Sequence, residues 1–174
     1  MEEYTLETER LYMRPAHIKD APFVLELLNT PKWISYIGDR NVRTEEDAVQ
    51  YITSKMLPQF EEKQFGNYMV IRKEDHKLIG CCGLYDREGI EGVDIGFAFL
   101  PSYEGKGYAF ESASKVIQYG KEVHGIATVS GITVKENTAS QRLLEKLGLR
   151  FIKMITFSND TEAVMLYRNT TEHA

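Results

Sequence analysis

The stretch from Ile95 to Gly120, "IGFAFLPSYEGKGYAFESASKVIQYG", constrains this chain most. Its apolar start reads as a strand, and its end carries apolar residues three or four apart, the helical period. A strand that turns directly into a helix commits the chain to mixed α/β architecture. The turn between them is unusual. A helix start favours Ser, Thr, Asp or Asn, but here Gly105, Lys106 and Gly107 stand before Tyr108, and small residues follow at Ala109 and Ala113. A helix start presents unpaired N–H groups and a partial positive charge, so it attracts anions. Glycines let those N–H groups close on a phosphate without Cβ obstruction, and Lys106 adds a charge. An anionic group, such as a diphosphate, is expected against 105–109. The alternative is a tight strand-to-helix turn that holds nothing. Two familiar phosphate loops do not fit: Lys106 is followed by Gly107 and Tyr108, which breaks GxxxxGK[ST], and Phe110 stands where GxGxxG needs its last glycine.

The rest of the pattern places this unit in a domain. "RLYMRP" (10–15) alternates as a short strand. Asp20 is expected to cap a helix from Ala21 to Asn29, with Pro22 in its first turn. Residues 30–43, aromatic and irregular, read as a loop walling a pocket. Thr44 and Asp47 form a capping box for a helix from 45 to 56. Strands at 67–73 and 77–86 make a hairpin. Strand 91–100 places Val93, Ile95, Phe97 and Phe99 on one face. A helix spans 107–122, with Ala109, Ala113, Val116, Ile117 and Gly120 inward. A strand spans 126–134. Helix 137–148 buries Leu143, Leu144 and Leu147 and stops at Gly148. Strands near 150–157 and 161–168 complete one α/β domain over 1–174, with a mixed sheet and neither repeat nor linker.

Charge and cysteine usage exclude some functions. The formal net charge of −5 disfavours nucleic acid or an anionic membrane as partner. No apolar run reaches the ~18 residues of a membrane span, and "MEEYTLETER" is unlike a secretory signal. Cys81 and Cys82 are adjacent, and strand neighbours point to opposite faces, so no bridge is expected and a reducing cytoplasm fits. His17, His76, His124 and His173 are scattered, and no metal-ligand spacing is present. Each histidine is expected to be structural or solvent-facing.

A second feature is "VKENTAS". Asn137 closely follows a strand, and Ser140 stands three residues later. Asn137 is a good N-cap and Ser140 can simply fill the first turn. The other reading takes strands 91–100 and 126–134 as parallel neighbours whose ends bring two helix starts to one sheet edge, where α/β proteins bind ligands. Asn137 and Ser140 would then face the ligand's reactive end.

Together these segments resemble the GNAT family of N-acetyltransferases, in the branch that includes the ribosomal-protein N-terminal acetylases. The family's phosphate loop is Gln/Arg-x-x-Gly-x-Gly/Ala, and "EGKGYA" matches it at Gly107 and Ala109 but carries Glu104 at the first position. "RLYMRP", "DIGFAFLPSYEGKGYAFESA" and "NTASQRLLEKLGLRF" resemble the branch's successive elements, and the order is similar across nearly the whole chain. The resemblance implies about seven strands, mostly antiparallel, with about four helices and a sheet splayed between the strands read at 91–100 and 126–134. It implies acetyl-CoA as co-substrate, with no metal. The pantetheine arm would enter the gap against backbone groups of Phe97, Phe99 and Leu100. Gly105, Lys106, Gly107, Tyr108 and Ala109 would cradle the pyrophosphate. Asn137 and Ser140 would lie near the pantetheine and thioester.

The implied reaction is attack of a neutral amine on a thioester, which needs oxyanion stabilisation and a proton for the leaving thiolate. A backbone N–H of strand 91–100 is implied for the oxyanion. Ser140 is the candidate proton donor, with Asn137 positioning it. The tyrosine many relatives use is absent from "TASQRLL", which favours either Ser140 or no dedicated acid at all. Asp94, opposite in facing to Phe97, is the candidate proton relay or amine anchor; otherwise it is a core-edge carboxylate paired with a base. Glu91 reads as turn polarity. Tyr85 and Trp33 either line the acceptor pocket or pack in the core. The acceptor would be a protein N-terminus or a small amine, and a homodimer is compatible. The competing readings are an acyl-CoA-binding module without turnover, which Glu104 favours, and a transferase using another acyl donor such as succinyl-CoA.

Overall fold

The computed structural model describes residues 3–169; His173 lies outside them. Eight strands form a single sheet in the order β1-β2-β3-β4-β5-β6-β8-β7. They are β1 Leu6–Glu7, β2 Leu11–Pro15, β3 Asn67–Arg72, β4 Lys77–Tyr85, β5 Val93–Phe99, β6 Val129–Thr133, β7 Leu149–Ile155 and β8 Val164–Asn169. All neighbours are antiparallel except β5 and β6. Five α-helices accompany them: α1 Ala21–Leu28, α2 Glu45–Tyr51, α3 Pro58–Lys63, α4 Tyr108–His124 and α5 Thr138–Lys146.

The alternation in the strands splits the core in two. Val70, Cys82, Leu84, Val93, Ile95 and Phe99 pack with Ala113 and Val116 of α4 on one face. Met69 and Cys81 pack with Val24, Leu27, Ala48 and Ile52, from and beside α1 and α2, on the other. The two cysteines are free, buried and on opposite sides.

The differences from the sequence reading have local causes. The short β1 and the additional α3 are each too brief to show a period. The stretch read as a loop contains a π-helical turn, Trp33–Ile37, that buries Trp33. The helix expected to run to residue 56 is α-helical only to Tyr51 and continues as a π-turn through Met56. The Thr44–Asp47 capping box is present. Asp20 does not cap α1 with its side chain. Its carboxylate instead accepts from both terminal nitrogens of Arg14, at 2.8 and 3.0 Å, and from the His17 N–H at 2.8 Å. Arg14 and Asp20 are both buried, and a buried carboxylate is costly unless paired. In α5 only Leu144 is buried; Leu143 and Leu147 are half-buried, because the helix lies at the rim of the sheet. Gly148, with φ +91°, follows its end as expected.

Candidate active site

The site is built on the place where the sheet comes apart. β5 and β6 pair only at Val93 with Val129 and at Asp94 with Ser130. Beyond Asp94 the strands have no ladder between them. Leu100 donates its N–H to the Ile79 carbonyl at 3.0 Å. Backbone groups alternate in direction along a strand, so Ala98 and Gly96 also turn toward β4, while Phe97 and Phe99 turn their N–H and C=O toward the gap. The Leu100 carbonyl accepts from the Tyr103 N–H at 3.0 Å, so both backbone groups of Leu100 are engaged within the protein.

At the mouth of the gap, the chain leaves β5 and enters α4 through residues 101–107. Gly105 and Gly107 have φ of +72° and +83°, in the left-handed region. No side chain caps α4. Its first internal bond runs from Glu111 N to Gly107 O, and the N–H groups of Tyr108, Ala109 and Phe110 find no acceptor among the described residues. A Cβ on Gly105 would meet nothing within 4 Å. The turn is therefore open, donor-rich and positively polarised. Glu104 forms an ion pair with Lys32.

Sequence reasoning missed the residue that fixes this turn. Arg10, at the entry to β2, donates from Nη1 to the Lys106 carbonyl at 3.0 Å and from Nε to Glu111 Oε1 at 2.9 Å. Its guanidinium lies 4.3 Å from the centre of the Tyr108 ring. Thr8 Oγ1 donates to the other oxygen of Glu111 at 2.8 Å. Burial raises the Glu111 pKa, but the hydrogen bonds from Arg10 and Thr8 outweigh it and hold the carboxyl below its ordinary value. Nothing in "TERLYMRP" signals a contact spanning 101 positions.

The second helix start, at α5, follows β6. Because β5 and β6 are parallel, α4 and α5 begin at the same end of the sheet. Asn137 is the N-cap of α5, and its Oδ1 accepts from the Ser140 N–H at 3.2 Å. Ser140 is half-buried.

Asp94 sits at the apex of the gap, on the last paired rung. Its side chain is 2% exposed, and Arg87 Nε approaches its Oδ1 at 3.3 Å. Burial pushes its pKa up, against the opposing pull of Arg87. Tyr85 is its cross-strand partner on β4. The Tyr85 hydroxyl donates to Asn67 Oδ1 at 2.7 Å, and its ring lies so close to Gly96 that a Cβ there would be 2.7 Å from Cε2. Trp33 is buried in the core cluster under α1 and α2. Glu91 is exposed and pairs with Arg168 at 3.4 Å. Along β5 the order is thus a buried carboxylate, free strand backbone, then the glycine turn. Arg87, Asn67 and Lys32 complete the surroundings, and each is a lone polar residue without a spacing that would have marked it. Among the described residues, no group of His, Cys, Asp or Glu could hold a metal ion, and no helix is long and apolar enough to cross a membrane.

Comparison with known proteins agrees with this arrangement. The family model for the acetyltransferase (GNAT) domain matches residues 10–150. The uncharacterized N-acetyltransferase YnaD of Bacillus subtilis is 30% identical over 145 residues, which span 83% of this chain and 82% of YnaD. A GNAT-family acetyltransferase from Bacillus anthracis superposes with a TM-score of 0.76 at 28% identity, covering 93% of this chain and 95% of that one. RimL, a ribosomal L7/L12 alpha-N-protein acetyltransferase solved with coenzyme A, shares the fold at a TM-score of 0.79 and 15% identity, covering 96% and 97% of the two chains. With the family model spanning most of its length, over a sheet opened beside a glycine turn, the chain belongs to the GNAT family of acetyltransferases.

Proposed function

We propose that the protein transfers an acetyl group from acetyl-CoA to a primary amine, either a protein N-terminus or a small molecule, within a ternary complex. The observation that carries this reading is the pairing of an open ladder on β5 with an uncapped, glycine-bearing start of α4. An extended amide-bearing arm can hydrogen-bond to Phe97 and Phe99 as an added strand, while its diphosphate meets the N–H groups of 105–109. RimL, which shares this fold, is a ribosomal L7/L12 alpha-N-protein acetyltransferase solved with coenzyme A, and the reading is in keeping with both.

In this reading the amine nitrogen attacks the thioester carbonyl, with the oxyanion held by a backbone N–H on β5. Collapse of the tetrahedral adduct breaks the carbon–sulfur bond. Ser140 relays a proton to the departing thiolate, giving its hydroxyl proton and taking back through water the one released by the amine, and Asn137 positions Ser140 through the N-cap. Asp94 accepts a proton from the attacking amine or holds a cationic one. A carboxylate raised by burial is a better base near neutrality than an exposed one. Pairing of Glu104 with Lys32 weakens the case for a binding module without turnover.

A thermal-shift series with acetyl-CoA, succinyl-CoA and nucleotides tests the donor, because a ligand that binds only the folded state raises stability. Release of free thiol in the presence of an amine panel tests turnover. A shift with acetyl-CoA and no thiol release with any amine would return the binding-module reading.

A further inference from the structure

We infer that Arg10 is a binding residue for the donor's diphosphate, acting both as a direct ligand and as the strut that shapes the 105–109 turn. The inference rests on the proposed acetyl-CoA reading. Three contacts fix the guanidinium: Nη1 to the Lys106 carbonyl, Nε to Glu111 Oε1, and the cation–π contact with Tyr108; the backbone N–H of Arg10 also donates to Glu111 Oε2 at 3.2 Å. Nη2 is left over. It lies 3.3 Å from where a Cβ on Gly107 would stand, at the turn itself, and it has no partner among the described residues. The side chain is 41% exposed, so the remaining donors reach solvent.

Each contact has a consequence for an anion. Bonding at the Lys106 carbonyl ties that oxygen to Arg10, so a negative dipole is not left free to face the phosphates. The Glu111 carboxylate, in the first turn of α4, would repel them, and Arg10 with Thr8 occupies both of its oxygens. A groove lined by Thr8, Arg10, Gly107, Glu111 and Lys115 continues from the turn. Arginine suits this place because its rigid fork can serve a carbonyl, a carboxylate and a phosphate at once. The turn's own acidic residue, Glu104, is paired with Lys32, and Arg10 adds a positive group beside the turn from the entry to β2.

The test measures, by calorimetry on the full chain, binding of CoA, dephospho-CoA and pantetheine to the parent protein and to Arg10→Met and Arg10→Lys. Arg10→Met should weaken CoA and dephospho-CoA by about tenfold to a hundredfold, the worth of one charge-assisted hydrogen bond. Pantetheine, which lacks the diphosphate, should change by less than about threefold. The salt dependence of CoA binding should become shallower. Arg10→Lys keeps the charge and should show a smaller loss of the same selectivity. Unchanged CoA affinity in Arg10→Met overturns the inference, as does an equal loss for all three ligands, which would mark Arg10 as a support of the fold alone. Should Arg10→Met fail to fold, a CoA-to-pantetheine affinity ratio in Arg10→Lys equal to the parent's overturns it. A parent protein that binds pantetheine as tightly as CoA would instead show that the turn is not the diphosphate seat, and the reading beneath the inference fails first.

Discussion

Asp94 and Arg87 form an ion pair of unequal burial: the carboxylate is 2% exposed, the guanidinium beside it 43%. The arginine stays partly hydrated while the aspartate loses nearly all of its hydration, so burial prevails and the carboxyl pKa rises above its ordinary 3.8. A carboxyl whose folded pKa is raised binds more protons when native than when unfolded, so its stabilising contribution is present at low pH and is lost as pH rises through the folded pKa. Asp94→Asn is therefore expected to melt higher than the parent at pH 7, with the gap closing toward pH 4. Its kcat/KM should fall by about 10²–10⁴-fold if Asp94 relays the proton. Melts and rates across pH 4–8 check both; a variant equal to the parent in rate and pH profile would leave Asp94 a structural carboxylate.

Gly107→Ala places a side chain at φ +83° and 3.3 Å from Arg10 Nη2. The backbone strain costs about 1 kcal/mol, or about 2–4 °C in Tm for a chain of this size. The binding loss should be larger, because the methyl group stands against Arg10 Nη2 and beside the N–H groups of the turn. Calorimetry with CoA beside a thermal melt separates the two.

Asn137 carries a cap and, in the proposed reading, a ligand contact. Asn137→Ala should cost about 1 kcal/mol through the lost bond to the Ser140 N–H. Asn137→Asp preserves the cap and should keep the parent's Tm, so any activity it loses belongs to the ligand. Ser140→Ala should lower turnover and nearly retain acetyl-CoA affinity; equal turnover would reduce Ser140 to a helix-start residue.

Gly96→Ala drives a methyl group to 2.7 Å from the Tyr85 ring. A ring held by a hydrogen bond to Asn67 cannot yield as a flexible chain end does. The expected cost is about 1–3 kcal/mol. In steady-state kinetics, KM for the amine should rise more than KM for acetyl-CoA.

Burial pushes the thiols of Cys81 and Cys82 up to about 12. At pH 8 only about one in ten thousand would be thiolate, and thiolate is the reactive form. A disulfide reagent should find no reactive thiol in the native protein and two after denaturation.

Much of this molecule was legible in the sequence because its signals are local. Strand alternation sorted Val93, Ile95, Phe97 and Phe99 onto one face of β5, and the glycine turn announced the start of α4 without a ligand in view. The Thr44–Asp47 box marked α2 within a residue. What could not be read is long-range. Asp20 is a good cap by type, but Arg14 claims it, and that choice is made by burial of both charges. Arg10 looked like the first residue of a strand; its meaning comes from Glu111 and Lys106, which the fold brings beside it. Lys32 likewise meets Glu104 across 72 positions, from a place just before the π-turn at Trp33. The pairing of polar side chains across distant segments has no period to betray it.

The two rungs joining β5 to β6 also have a mechanical meaning. Among the described residues, Val93–Val129 and Asp94–Ser130 are the only ladder pairs between a five-stranded panel and a three-stranded one. Asp94 stands on that hinge line. A ligand arm bonded in the cleft would splint the panels together and remove their freedom to flex about it. Amide exchange at Phe97 and Phe99 is expected to be fast in the empty protein and to slow on donor binding, and β6 and β8 should stiffen with them although neither carries a residue assigned to the donor.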